Sequence, residues 1–252
     1  MEIDNLIIYV VITIAALVHG FSGVGFGLVS MIIFSFIFND IERIAAVVGI
    51  IGTLVFTGLF FISKDNKKID WLKVLIISPG SVLGTYVGYK FLLLFNNNAI
   101  FKVFIGIAIL ILSMISVFKY PVKFISDDKG VLAFFTGIIS GIISGVFIAG
   151  GPPLALYLYS QVDDPRDVKG TLQVIFIITG LIRVVIVGIG KIGYSKDILF
   201  ISLIVVLPVI AMLFLGNHIS KKSKEEIIRK IIYYFIGFSG LIIALMGALK
   251  II

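Results

Sequence analysis

Two glycine-dense stretches carry the residue types most able to do chemistry in this chain. The first reads His19-Gly20-Phe21-Ser22-Gly23-Val24-Gly25-Phe26-Gly27. The second reads Ser140-Gly141-Ile142-Ile143-Ser144-Gly145-Val146-Phe147-Ile148-Ala149-Gly150-Gly151-Pro152-Pro153. Glycine removes the side chain, so the backbone itself can approach a ligand. A helix interrupted in apolar surroundings leaves N–H groups unpaired, at several kcal/mol each unless something binds them. A half-helix that starts at such a break points those N–H groups and its positive dipole end at whatever lies beyond. Pro152 and Pro153 suit the first turn of such a half-helix, where a missing N–H is harmless. The chemistry is anion binding, with N–H and hydroxyl donors from Ser22, Gly23 and Gly25 on one side and Ser144, Gly145, Gly150 and Gly151 on the other. The competing reading is close helix packing through Gly and Ser.

Three further polar residues qualify as substrate-binding candidates. His19 is the one titratable side chain within either stretch. Its imidazole can bind an anion when protonated or carry a coupled proton, or instead sit neutral between helices. Gln173 is the costliest of the neutral donors to leave in lipid, with interhelical hydrogen bonding as its alternative. Arg183 is the one cation well inside an apolar run. It can offer paired donors to oxygens, or snorkel to the nearer interface. Thr53, Thr57, Gln161, Thr171 and Thr179 add neutral donors, and His218 beside Asn217 reads as interfacial. No nucleophile, base and orienting acid stand together, so no enzyme and no catalytic residue are expected. With two His, no Cys and no carboxylate inside an apolar run, a metal site is not expected either. There is no P-loop, and no other cofactor is implied.

The elements that must position these residues follow from composition. Apolar residues make up 60% of the 252, charged residues only 14%, and the mean hydropathy is +1.18. Soluble domains have about 45–50% apolar and about 25% charged residues. The chain therefore reads as an all-α integral membrane protein in a bilayer. All 14 carboxylates lie near the ends of apolar runs or in the termini. Six runs of spanning length, at 44–63, 72–94, 99–118, 170–190, 198–219 and 231–249, predict transmembrane helices. Pro79 and Pro208 are expected near the starts of theirs. Residues 6–38 and 130–162 are longer apolar segments broken by the glycine stretches, and each predicts one kinked span or a re-entrant hairpin. The first run follows Glu2 and Asp4 rather than a basic leader, which predicts that it is retained.

Basic residues choose between kinked span and hairpin. With single spans, Lys and Arg divide ten against ten across the membrane; with hairpins they divide fourteen against six. Insertion normally produces the second kind of bias. Hairpins are therefore predicted, in the cytoplasmic membrane, with both termini outside. The net charge of +7 then reflects loops facing anionic lipid, and nucleic acid is not an expected partner.

The two halves also echo each other. Ser22-Gly23-Val24 recurs 122 residues on as Ser144-Gly145-Val146, and Thr57-Gly58-Leu59 recurs at the same offset as Thr179-Gly180-Leu181. Pro79 pairs with Pro208, and Phe104-Ile105-Gly106 with Phe235-Ile236-Gly237. Repeats at 1–124 and 125–252, each a hairpin plus three spans, contain an odd number of crossings and are inverted, as in many secondary transporters.

The Gly-Ser-rich start of each half, the Gly150-Gly151-Pro152-Pro153 element and the two-half layout resemble the sulfite exporter family of the TauE/SafE type. The resemblance covers nearly the whole chain. It implies transport of small sulfur-containing anions, such as sulfite, thiosulfate or organosulfonates, across the cytoplasmic membrane. The alternatives are a passive anion channel or a membrane assembly protein, although the longest polar break is only about a dozen residues. The coupling ion, proton or sodium, and a homo-oligomeric state are left open by the sequence. The lack of cysteine makes topology directly testable. A single cysteine introduced at position 2 or 252 should be labelled from the outer side, and labelling only from the cytoplasm contradicts the hairpin topology.

Overall fold

The computed structural model describes residues 2–38, 41–62, 69–95, 103, 106, 107, 110, 111, 114, 130–161, 166–190, 194–222 and 225–249. Among these residues every regular element is an α-helix. In chain order they are α1 (Glu2–Ser22), α2 (Phe26–Ile37), α3 (Ile41–Ile62), α4 (Trp71–Phe95), α5 (Val131–Phe147), α6 (Gly151–Ser160), α7 (Arg166–Ile189), α8 (Lys196–Lys222) and α9 (Glu225–Leu249). The span predicted over 99–118 falls mostly outside the described residues. The positions described there are helical, and Gly106 sits so close to Gly240 and Ala244 of α9 that a side chain would collide with their backbone.

Among the described residues, four helices have membrane-crossing segments by length and composition: Ile44–Ile62, Trp71–Leu94, Val168–Ile189 and Lys196–Lys222. Their outward faces carry large apolar side chains such as Phe61, Leu75, Leu94, Leu203 and Leu207, the last 78% exposed. An apolar surface of this extent fits contact with lipid rather than water. The structure is thus that of an all-α, multi-pass membrane protein. Each segment with a glycine stretch is two helices joined by a three-residue break. Residues 23–25 separate α1 from α2, and residues 148–150 separate α5 from α6.

Pro79 and Pro208 lie inside α4 and α8 rather than at their starts. Both point outward. Each removes one rung of the ladder while its ring avoids the packed interior.

Packing is densest where side chains are smallest. Gly80, Gly84 and Gly88 on α4 recur every four residues, as do Gly137, Gly141 and Gly145 on α5. Residues at this spacing share one helix face. A Cβ at Gly84 would run into Ile138 O, and one at Gly141 into Ser81 O. The neighbours met by Gly80, Gly84 and Gly88 advance in step along α5, so the two helices run parallel with their backbones in direct contact. In lipid, association gains nothing from apolar burial and depends on this van der Waals closeness. Gly20 of α1 and Gly216 of α8 face each other in the same way: Gly20 abuts Leu213 O, and Gly216 abuts Leu17 O and Phe21 N. Gly84→Leu should therefore lower stability by about 1–3 kcal/mol or more, read as thermal unfolding in detergent. Leu83→Ala, on the exposed face, should change it little; equal effects would show that the glycine seam is not what holds this pair.

Candidate functional site

The two breaks meet. A Cβ on Gly27, in the first turn of α2, would overlap Ile148 O, and one on Gly151, at the start of α6, would overlap Val24 Cγ1. Only a residue without a side chain permits a neighbouring segment to come this close. Next to this junction lies a cavity of about 30 Å3. One water needs roughly 10–15 Å3, so the space suits a solute of few atoms. Gly49 and Phe56 of α3, and Phe176, Thr179, Gly180 and Arg183 of α7, complete its wall. These positions straddle the middle of Ile44–Ile62 and Val168–Ile189, so the cavity lies deep along both spans.

Each break has a local cause. Gly23 and Gly25 have φ of 76° and 108°, which L side chains rarely adopt. Gly25 is the N-cap of α2, and Val29 N–H donates to Gly25 O at 2.9 Å. That leaves the N–H groups of Phe26, Gly27 and Leu28 without partners in their own helix, and all three residues line the cavity. At the second break Ile148 takes φ 58°, a strained value for a β-branched residue. Its N–H is held by Ser144 O at 2.8 Å, and Ser140 Oγ donates to Gly150 O at 2.6 Å. Pro152 and Pro153 occupy the first turn of α6 and remove two N–H groups that would otherwise lack partners.

One helix secures both breaks. Gln173 of α7 donates from Nε2 to Gly23 O at 3.0 Å, and its Oε1 lies 3.4 Å from His19 Nε2. Ten residues along α7, Arg183 Nη1 donates to Ser144 O at 2.7 Å and to Gly145 O at 2.5 Å. Arg183 is only 2% exposed, so it does not snorkel to an interface. Its Nε and Nη2, and Nδ1 of His19, are buried without a hydrogen-bond partner. The His19 ring packs on Phe56 with centroids 5.2 Å apart, and Phe56 on Phe176 at 5.3 Å.

The candidates from sequence separate into two groups. His19, Gly25, Ser144, Gly150, Gly151 and Arg183 line the cavity. Ser22, Gly23, Gly145 and Gln173 stand behind it. The Ser22 hydroxyl lies within bonding reach of Val18 O and Val24 O and accepts Val24 N–H at 3.1 Å, so it shapes the first break. Ser144 and Gly145 lie in the last turn of α5 rather than in the break, and they supply carbonyl acceptors to Arg183. Thr53, Thr57 and Thr179 bond carbonyls of their own helices, and Thr171 Oγ1 accepts Asp70 N–H. Gly49, Gly180, Phe56 and Phe176 were missed by sequence reasoning. Gly49 and Gly180 had a signal, as small residues on spans near Thr53 and Thr179; the phenylalanines are two among 22 and had none.

A multi-pass helical protein with two interrupted helices meeting around a small buried cavity has the architecture of a membrane transporter. The model of the sulfite exporter TauE/SafE family matches residues 8–243, and the chain belongs to that family. It is 27% identical over 239 residues, 88% of its own length and 89% of the other's, to a "Probable membrane transporter protein" of Methanocaldococcus jannaschii. It is 26% identical over 165 residues to a "Probable sulfite/organosulfonate exporter TauE" of Cupriavidus necator, covering 64% of this chain and 63% of that one. No solved structure matches. Gln173→Leu should free Gly23 O and lower stability by about 1–3 kcal/mol; an unchanged melting temperature in detergent would show that this tie carries no weight.

Proposed function

We propose that the protein is a secondary transporter moving a small anion across the cytoplasmic membrane, sulfur-containing as in sulfite, thiosulfate or an organosulfonate. The observation that carries this reading is the meeting of two helix breaks around a cavity lined by residues that include hydrogen-bond donors. The first turn of α2 offers free N–H groups, Arg183 offers two unused nitrogens, and none of the lining residues is acidic. Such a lining favours negative charge at a depth where it is otherwise strongly disfavoured. The substrate contacts His19, Gly25, Ser144, Gly150, Gly151 and Arg183, while Ser22, Gly23, Gly145 and Gln173 hold the breaks in place. The family name of transporters, and the name of the Cupriavidus necator relative, support the substrate class. The protein is not an enzyme on this reading.

Each break is the tip of a re-entrant hairpin, and residues 1–124 and 125–252 form inverted repeats with both termini outside. The helix pairings support this. α1 of the first half packs on α8 of the second, and α4 of the first packs on α5 of the second. α3 packs on α8 just as α4 packs on α7. A two-fold operation exchanging the halves converts each pairing into the other. Rocking one set of helices against the other would open the cavity to each side in turn. The contact of Gly27 with Ile148 and of Val24 with Gly151 favours a closed junction over a continuous pore.

Purified protein in liposomes preloaded with unlabelled sulfite should take up labelled sulfite saturably, with counterflow. Uptake that never saturates and shows no counterflow would assign a passive channel instead. No anion flux in any arrangement would remove the reading.

A further inference from the structure

The way Arg183 is held leaves a defined set of donors unused. A guanidinium has five N–H donors in one plane. Nη1 is committed to Ser144 O and Gly145 O at the C-terminal end of α5. Nε and Nη2 have no partner. Those two nitrogens form one edge of the guanidinium, with N–H bonds pointing the same way. Two parallel donors of this kind match two oxygens borne on one atom. Arg183 is buried, on the cavity wall.

Both nitrogens are shielded from solvent-sized space, and glycine at position 49 limits the crowding beside them. Gly49 of α3 also lines the cavity, and a Cβ there would lie 3.4 Å from Arg183 Nε. A side chain at this position would stand in van der Waals contact with Nε and reduce the room for an oxygen accepting from it. The carbonyls that hold Nη1 are at the negative end of α5, a position where unwound transporter helices commonly coordinate a cation. Here the protein's own guanidinium occupies it.

We infer that Arg183 is the specificity-determining residue of the anion site: it grips two oxygens of an oxyanion through its Nε–Nη2 edge, so that oxyanions are selected over halides. The inference rests on the anion-transport reading above and adds the geometry of recognition. A halide offers one spherical acceptor and can engage the edge at a single point. Arg183 is anchored by α5 carbonyls, and the edge is therefore held in place before the substrate arrives.

The test is anion binding to the purified full-length protein by calorimetry, using potassium salts of sulfite, nitrate and methanesulfonate against chloride and bromide. The unaltered protein should bind the oxyanions at least about tenfold more tightly than the halides. Arg183→Lys, a point charge without the paired edge, should lose most of that preference, with oxyanion affinity falling by about tenfold or more and chloride affinity little changed. Gly49→Ala, which keeps the guanidinium, should weaken oxyanions several-fold and chloride less; it decides the matter if Arg183→Lys does not fold. Equal affinity of the unaltered protein for chloride and oxyanions overturns the inference and leaves anion transport standing, as does a folded Arg183→Lys that keeps the preference or a Gly49→Ala that binds oxyanions unchanged. Failure of every anion to bind removes the transport reading and this inference together.

Discussion

Backbone polar groups left unpaired inside an apolar bundle are the constraint on which the rest of this structure depends. Each costs several kcal/mol in hydrocarbon, yet α1–α2 and α5–α6 are both interrupted deep in the protein. The interruptions survive because specific side chains take up the freed groups. At the first, the Ser22 hydroxyl accepts Val24 N–H, and Gln173 reaches Gly23 O. At the second, Ser140 holds Gly150 O while Arg183 takes the carbonyls of Ser144 and Gly145. The N–H groups of Phe26, Gly27 and Leu28 are left without helical partners beside a cavity that can hold something else.

The two breaks look alike in sequence and differ in electrostatics. The first is tied by a neutral amide next to an imidazole. The second is tied by a guanidinium, which carries positive charge at neutral pH. Both ties come from α7, about 15 Å apart at 1.5 Å per residue. One helix thereby ties together two elements that belong to different halves of the chain. Displacement of α7 relative to a break would strain the tie to that break.

Glycine serves two purposes in this bundle. Along α4 and α5, and again where Gly20 faces Gly216, it lets backbones touch and so supplies the close packing that lipid does not drive. At Gly27 and Gly151 the same absence of a side chain brings the two breaks together. A packed seam and an open cavity thus stand side by side, one made by backbone meeting backbone, the other by backbone turning aside.

The class of protein was legible in the chain, because hydropathy is a sum over residues and needs no partner. Long apolar runs, carboxylates confined to their ends, and two glycine-rich interruptions followed from composition and spacing alone, and the family resemblance rested on the same glycines. The breaks themselves were legible to within a few residues; Ser144 and Gly145 fell in the last turn of α5 because Ile148, a β-branched residue, takes the left-handed conformation that glycine usually supplies. What tertiary structure decided was which polar group meets which. Nothing in the sequence near Arg183 says that it turns inward to the end of a helix some 39 residues earlier, and its distance from the span end argued for the interface. The four-residue glycine spacing on α4 and α5 was visible, but each run could have faced any neighbour. Hydrogen bonds and close contacts between distant residues depend on how helices are placed in three dimensions, and local sequence does not encode that placement one residue at a time.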